Sequence, residues 1–376
     1  MMKRVLVLLL CWAIPFSALA QESEELDEAL AAIFPRYRTV GAVVAVAKDG
    51  ELVYHYDYGW ADRGQKRPVT AETYFKIASV TKMVSAMRVM QLVEAGSLDL
   101  DAPVGDYLGY EVVNPSYPDQ PITLRQLMSH TSSIHGSYTS GQQLSKMLSP
   151  KNKRRWESWK PGSRYDYSNL GAGIMGSLME AVTGQDVNTC VDEGVFQPLG
   201  IDAAFRVSLL DAPEQAALRY NTEGSLARGR NFYLNESYDP LAGPEAHYDL
   251  TIGDVWIRGD DLCRLGMLML AGTLGDVTLL QPETVAEMCA SQQGRGSVTV
   301  DSPYGLCVQR VTTLLEDRMV YGHQGLSDGI LCNVYWEPES GLVFVMITNG
   351  SSCAMDNHIG KLSRRVFAQV WDRFGD

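Results

Sequence analysis

Strand patterns at both ends of this 376-residue chain, with helix patterns in the long stretch between, constrain its fold more than any other feature. Near the start, Val40 to Lys48 and Glu51 to Tyr58 are rich in β-branched and aromatic residues and turn at Asp49-Gly50, the signature of a hairpin. Strand patterns return at Tyr304 to Val311, Met319 to Gln324, Ile330 to Trp336 and Leu342 to Thr348, the last two joined by a turn from Glu337 to Gly341. An amphipathic helix near Leu26 to Arg36 precedes the hairpin, and another from about Asn357 to Phe374 closes the chain. Helical segments near Thr123 to Met128, Leu170 to Val182, Asp260 to Leu270 and Pro282 to Ala290 lie between. Strands that come from both termini and share a sheet predict a discontinuous α/β domain of residues 21–75 and 300–376. A mainly helical domain, residues 76–299, is then inserted, and the cleft between the two is the expected place for a site.

The first twenty residues have the pattern of an export signal. Lys3 and Arg4 form a basic start, Val5 to Ala18 an apolar stretch, and Ala18-Leu19-Ala20 a small-residue cleavage site. No later stretch is long and apolar enough to span a bilayer, so a soluble periplasmic or secreted chain is expected. The formal net charge is −13, and cleavage would remove Lys3 and Arg4, which argues against nucleic acid or an anionic membrane as partner. Cleavage would leave Cys190, Cys263, Cys289, Cys307, Cys332 and Cys353. An even number in an oxidising compartment permits disulfide staples, and buried small apolar side chains are the other possibility. There is no C-x-x-C and no Cys/His ligand spacing, so neither a metal nor another cofactor is expected.

The chemistry-bearing motif is Ser79-Val80-Thr81-Lys82, at the head of the most apolar helix, about Ser79 to Ala95, which closes at Gly96. Three residues apart on a helix, Ser79 and Lys82 point about 60° apart on one face, within reach of each other. Val80, Met83, Val84, Met87, Val89, Met90, Leu92 and Val93 leave Arg88, Gln91 and Glu94 as the solvent stripe, and Lys82 falls opposite it. A lysine buried there has to be neutral or paired, and a neutral amine beside a hydroxyl is a base beside a nucleophile.

Two further segments extend the motif. Tyr167-Ser168-Asn169 is a Y-x-N just before a helix, and His323-Gln324-Gly325, followed by Leu326, lies on a late strand. In the order Ser79, Tyr167, His323, they resemble the penicillin-binding and class C β-lactamase-like serine hydrolase family. Phe75 to Lys82 resembles that family's nucleophile segment, and Gly96 to Val104 resembles the segment directly after it. Thr123 to Ser132 resembles its L-L-x-H-T-S stretch and Pro198-Leu199-Gly200 its P-L-G turn, so the likeness runs from about Val40 to Gly350. It implies a DD-peptidase/β-lactamase-like α/β fold, an antiparallel sheet flanked by terminal helices with a helical insertion. It also implies Ser79 as acyl-accepting nucleophile, Lys82 as its proton acceptor, and Tyr167 as proton shuttle to the leaving group, with Lys82 lowering the phenol's pKa. Asn169 would bond a substrate amide or carbonyl, and the N–H groups of Ser79 and Leu326 would form the oxyanion hole. Gly325 would let substrate lie close against its strand, and His130 would be a structural residue tying a loop.

At His323 the chain departs from the K-T-G of typical β-lactamases in that family. An imidazole, mostly neutral at pH 7, stands where a fixed ammonium helps bind the carboxylate of β-lactams, and it is expected to face substrate. Gly325-Leu326-Ser327-Asp328-Gly329 is formally a nucleophile elbow, but a strand pattern rather than a helix comes next, which rejects that assignment. The expectation is an exported serine hydrolase, free of cofactors, acting through an acyl-enzyme on small amides, D-residue peptides or esters. A class C-like β-lactamase, or a non-catalytic penicillin-binding sensor that acylates without turnover, are the alternatives.

Overall fold

A computed structural model of the chain describes residues 16–138, 141–296 and 303–375. Seven strands share one antiparallel sheet: β1 (Gly41–Lys48), β2 (Glu51–Asp62), β3 (Arg67–Pro68), β4 (Gln309–Val311), β5 (Val320–Ser327), β6 (Ile330–Glu337) and β7 (Leu342–Thr348). Their order across the sheet is β4-β5-β6-β7-β1-β2-β3. The two chain ends meet at the β1–β7 pairing, where Ala42 lies opposite Thr348 and Lys48 opposite Leu342. The longest helices among the described residues are α1 (Phe16–Ile33), α2 (Val80–Glu94), α3 (Asn169–Thr183), α4 (Gly259–Ala271) and α5 (Lys361–Phe374).

Side-chain alternation along β1 divides the interior in two. Ala42, Val44 and Val46 join Phe344 and Met346 against α1 and α5, through Leu26, Leu30, Val366 and Phe367. Val43, Ala45 and Ala47 join Val343, Val345 and Ile347 on the other face, against α4 and the larger core around α2 and α3. Both faces are covered, which is why β6 and β7 are apolar runs without a polar alternation. Each aliphatic side chain so buried contributes on the order of 2 kcal/mol.

The chain-order division between domains needs one correction. Helix α4 lies within residues 76–299, yet it packs on β1, β6 and β7 and belongs to the sheet layer. Gly266 makes this possible, because a Cβ there would fall 2.5 Å from Val343 Cγ1. An amphipathic pattern says that α4 has a buried face and not which layer buries it. Two smaller differences lie near the end of the chain. The strand expected from Tyr304 begins at Gln309, and the closing helix begins at Lys361. Asn357 and His358, at φ 45° and 64°, instead form a tight turn between Met355–Asp356 and Ile359–Gly360.

All six cysteines that cleavage would leave are free thiols, four of them buried. The expected staples are not formed, although Cys190, Cys263, Cys307 and Cys332 lie in one core cluster: they serve there as small apolar side chains. Cys307 Sγ, for example, packs against Met175 Sδ at 3.7 Å. Residues 1–15, which include the basic start of the expected signal, lie outside the described residues, and α1 runs through the expected cleavage point. No described helix is long and apolar enough to cross a membrane.

Candidate active site

Ser79 stands on a tight turn that opens α2. The carbonyls of Ile77, Ala78 and Ser79 accept the N–H groups of Val80, Thr81 and Lys82, and Ala78 takes a left-handed φ of 46°. Val255 holds this turn in place: its carbonyl accepts Ile77 N–H at 3.0 Å, and its own N–H reaches Thr81 Oγ1 at 3.1 Å. Among the described residues, nothing accepts the Ser79 N–H. Ser79 is half-buried while Lys82 is wholly enclosed, as the helix projection required.

Lys82 Nζ lies 3.2 Å from Ser79 Oγ and 2.6 Å from the Ile252 carbonyl oxygen. Burial pulls the amine's pKa down to about 7. Above that pH the neutral amine donates to Ile252 and turns its lone pair toward the Ser79 hydroxyl, the arrangement of a general base. Activity that depends on this base appears as the proton leaves, so kcat/KM for a neutral ester should rise with unit slope through about pH 7 and level off by about pH 8. His130 and His323 stay neutral across this range and Tyr167 stays a phenol, so no second step should overlie the rise. A flat profile from about pH 5 to 9 would contradict the assignment of Lys82.

Tyr167 sits just before α3, whose cap is Ser168 Oγ accepting Gly171 N–H at 2.9 Å. The Lys82 amine lies 5.2 Å from the Tyr167 ring centroid. Burial raises the phenol's pKa and interaction with the Ser79 hydroxyl works against the rise. In the resting site Lys82 is not what sets this pKa, which corrects the expected electrostatic role: an amine that has given up its charge near neutrality does not lower the phenol's pKa until it has taken up a proton. Tyr167 is therefore a proton donor in the resting site. His130 grips it from three sides. Its carbonyl accepts Asp166 N–H at 2.9 Å, its Nδ1 accepts Ser168 N–H at 3.2 Å, and its ring centroid lies 4.2 Å from that of Tyr167.

Strand β5 passes directly in front of the nucleophile turn. A Cβ added to Gly325 would lie 2.2 Å from the Ile77 carbonyl oxygen and 3.1 Å from Ser79 N. Glycine is needed here for strand and turn to touch, a different reason from the expected approach of substrate. Gln324 N–H points to the outer edge of the strand, where Gln309 Oε1 accepts it at 3.0 Å. Alternation along a strand sends Leu326 N–H to the same edge, beside the free Ser79 N–H. Asn169 is half-buried in the first turn of α3, two residues after Tyr167, with no side-chain hydrogen bond among the described residues.

His323 does not face substrate, contrary to expectation. It is 0% exposed, Nδ1 donates to Gln324 O at 2.7 Å, and Nε2 accepts from Tyr304 Oη at 2.5 Å. Burial, aided by the nearby Lys82, holds the imidazole down to about 3. At His323 this face of β5 is covered by the packed interior, and the shielding residue, Tyr304, comes from a loop outside the strand. Tyr304 and Ile252 are site residues that sequence reasoning missed. Ile252 contributes a backbone carbonyl, for which no side-chain signal exists.

A hydroxyl nucleophile, a neutral amine, a phenol and two convergent N–H groups make an arrangement suited to acyl transfer. The family model described as Beta-lactamase matches residues 18–368. The chain belongs to the beta-lactamase family. Esterase EstB of Burkholderia gladioli is 31% identical over 348 residues, which cover 81% of this chain and 88% of that one. Penicillin-binding protein 4 of Amycolatopsis lactamdurans is 29% identical over 338 residues, covering 86% and 84%. Among solved structures, that of SurE superposes with a TM-score of 0.72 at 26% identity, covering 95% of this chain and 77% of that one. Relatives in the beta-lactamase family are serine hydrolases with a Ser-Lys-Tyr mechanism, and this chain is a serine hydrolase.

Proposed function

We propose that the chain is an exported esterase-type hydrolase that cleaves small esters, and more slowly small amides, through an acyl-enzyme on Ser79. The observation that carries this is the Lys82 amine, neutral from about pH 7, held 3.2 Å from the Ser79 hydroxyl. Ser79 Oγ attacks the carbonyl as its proton passes to Lys82, and the oxyanion is met by the N–H groups of Ser79 and Leu326. Tyr167 protonates the leaving alcohol or amine, which departs, and is reprotonated from Lys82. Water then attacks the acyl-enzyme by the same route, releasing the acid and restoring Ser79.

Two features support esters. A cavity of about 420 Å³, lined by Tyr165, Tyr167, Tyr304, Val311 and Ile359 among others, opens beside the proton donor and suits an apolar leaving group. Where β-lactam-hydrolysing relatives carry an ammonium, His323 is neutral and enclosed. Kinship to esterase EstB adds to the same side. Export rests on the signal-like first twenty residues, and N-terminal sequencing of recovered protein checks cleavage after Ala20.

The test is a substrate panel on the purified mature chain: a short-chain aryl ester, a D-amino-acid amide, a D-Ala-D-Ala peptide and nitrocefin. The ester should exceed nitrocefin in kcat/KM by ~10² or more. Faster turnover of nitrocefin or of the D-Ala-D-Ala peptide would overturn the ester assignment. Stoichiometric labelling without turnover of any of them would show the sensor instead.

A further inference from the structure

Beyond Gly325, strand β5 leads to Ser327, whose side chain lies on the face that Gly325 turns toward the nucleophile. Two residues along a strand is about 7 Å, so Ser327 stands that far past Gly325 and one residue, about 3–4 Å, past Leu326, whose N–H is one of the oxyanion amides. Arg219 reaches it there, its Nη2 donating to Ser327 Oγ at 3.1 Å. The guanidinium is half-buried, and its Nε is enclosed with no hydrogen-bond partner among the described residues. Arg206 and Arg258, also half-buried, each pair with carboxylates: Arg206 with Asp254, Arg258 with Glu72 and Asp202. Among the described residues, no carboxylate lies within ion-pair distance of Arg219.

Two neighbours make this more than a lone arginine. Tyr233 is 3% exposed, and its Oη, though near Arg219, completes no hydrogen bond among the described residues. Burial pushes its phenol up and Arg219 works against the rise. Arg228 stands directly opposite Arg219 in the short pairing of Arg219–Tyr220 with Leu226–Arg228. Like charges facing across strands are destabilising, and the carboxylate felt at the Tyr233 phenol, Glu236, makes no ion pair with Arg219.

We propose that Arg219, Tyr233 and Ser327 form an anion subsite that receives a carboxylate on the acyl part of the substrate. The guanidinium and the two hydroxyls supply charge-assisted donors of the kind a carboxylate takes. The aromatic cavity lies toward the other end of the strand, since Gln309, one of its walls, is the residue that holds Gln324 N–H. Substrate therefore lies along β5 with its leaving group beside Tyr167 and its acyl chain running toward Arg219. A carboxylate about 4–7 Å from the scissile carbonyl is the span of succinate to adipate, with glutarate in the middle, so the favoured class is hemiesters of dicarboxylic acids of that length.

The inference rests on acylation at Ser79, and the experiment separates the two. The 4-nitrophenyl esters of butyric acid and of glutaric acid, the latter a hemiester, are compared in wild type, Arg219→Gln, Arg219→Lys and Tyr233→Phe. Wild type should prefer the hemiglutarate, with a KM that rises with salt. Arg219→Gln should lose about tenfold or more in kcat/KM on the hemiglutarate and less than about threefold on the butyrate, and Arg219→Lys should recover part of the loss. Tyr233→Phe should move the same ratio, which keeps the test available if Arg219→Gln fails to fold. Equal losses on both esters, or no preference in wild type, overturn the subsite while leaving the esterase assignment standing. Absence of butyrate turnover and of a Ser79 adduct overturns both.

Discussion

Replacing Ser79 by alanine is expected to lower kcat toward esters by ~10⁴ to 10⁶, because it removes the hydroxyl that Lys82 is placed to deprotonate. The Ser79 hydroxyl has Lys82 Nζ as its partner at 3.2 Å, and Ser79 is not a member of the hydrophobic cores, so its loss leaves them untouched. The variant should therefore melt within a few degrees of wild type, which separates loss of chemistry from loss of structure. A fluorophosphonate probe should add its mass to the Ser79 peptide of the wild-type chain and not label the alanine variant. Labelling that survives the substitution, or residual activity near wild type, would place the nucleophile elsewhere.

Gly325→Ala is expected to have the next largest effect, although it adds one methyl group and removes no functional atom. The new Cβ would meet the Ile77 carbonyl oxygen at 2.2 Å. That oxygen cannot yield freely, since it accepts Val80 N–H at 3.2 Å while Ile77 N–H is held by Val255. Strand and turn must separate, and with them the N–H groups of Leu326 and Ser79. Losing one oxyanion donor typically costs ~10² to 10³ in kcat. The strain should also cost about 1–3 kcal/mol of stability, visible in thermal denaturation. KM should change far less than kcat, because the amides bind the transition state more strongly than the ground state. A variant with wild-type kcat would mean that β5 does not supply the oxyanion contact.

The parts of this site that were legible in the sequence are those set by local geometry. Ser79 and Lys82 are one helical turn apart, so their proximity follows from the helix alone, and the apolar wheel around Lys82 already required its burial. The sheet was legible for a similar reason: strand patterns at both ends of a chain have to find partners, and β1 pairs with β7. The features that stayed hidden depend on contacts between distant segments. His323 looks like an exposed ligand residue beside Gly325 until Tyr304 is folded over it. Gly325 looks like room for substrate until the Ile77 carbonyl is seen against it. Helix α4 carries the same amphipathic signature whichever layer it covers.

By itself, then, the sequence determined that a serine and a buried lysine share one face of a helix in an α/β chain, because helical period and strand alternation are properties of neighbouring residues. The tertiary structure alone decided the protonation states and the surfaces left for substrate. Lys82 is brought down to about 7 by the packing of many distant apolar side chains, and His323 is neutralised by the same enclosure. Arg219 faces Ser327 across 108 residues of chain. Desolvation and long-range pairing are sums over the whole fold, and no short stretch of residues carries them.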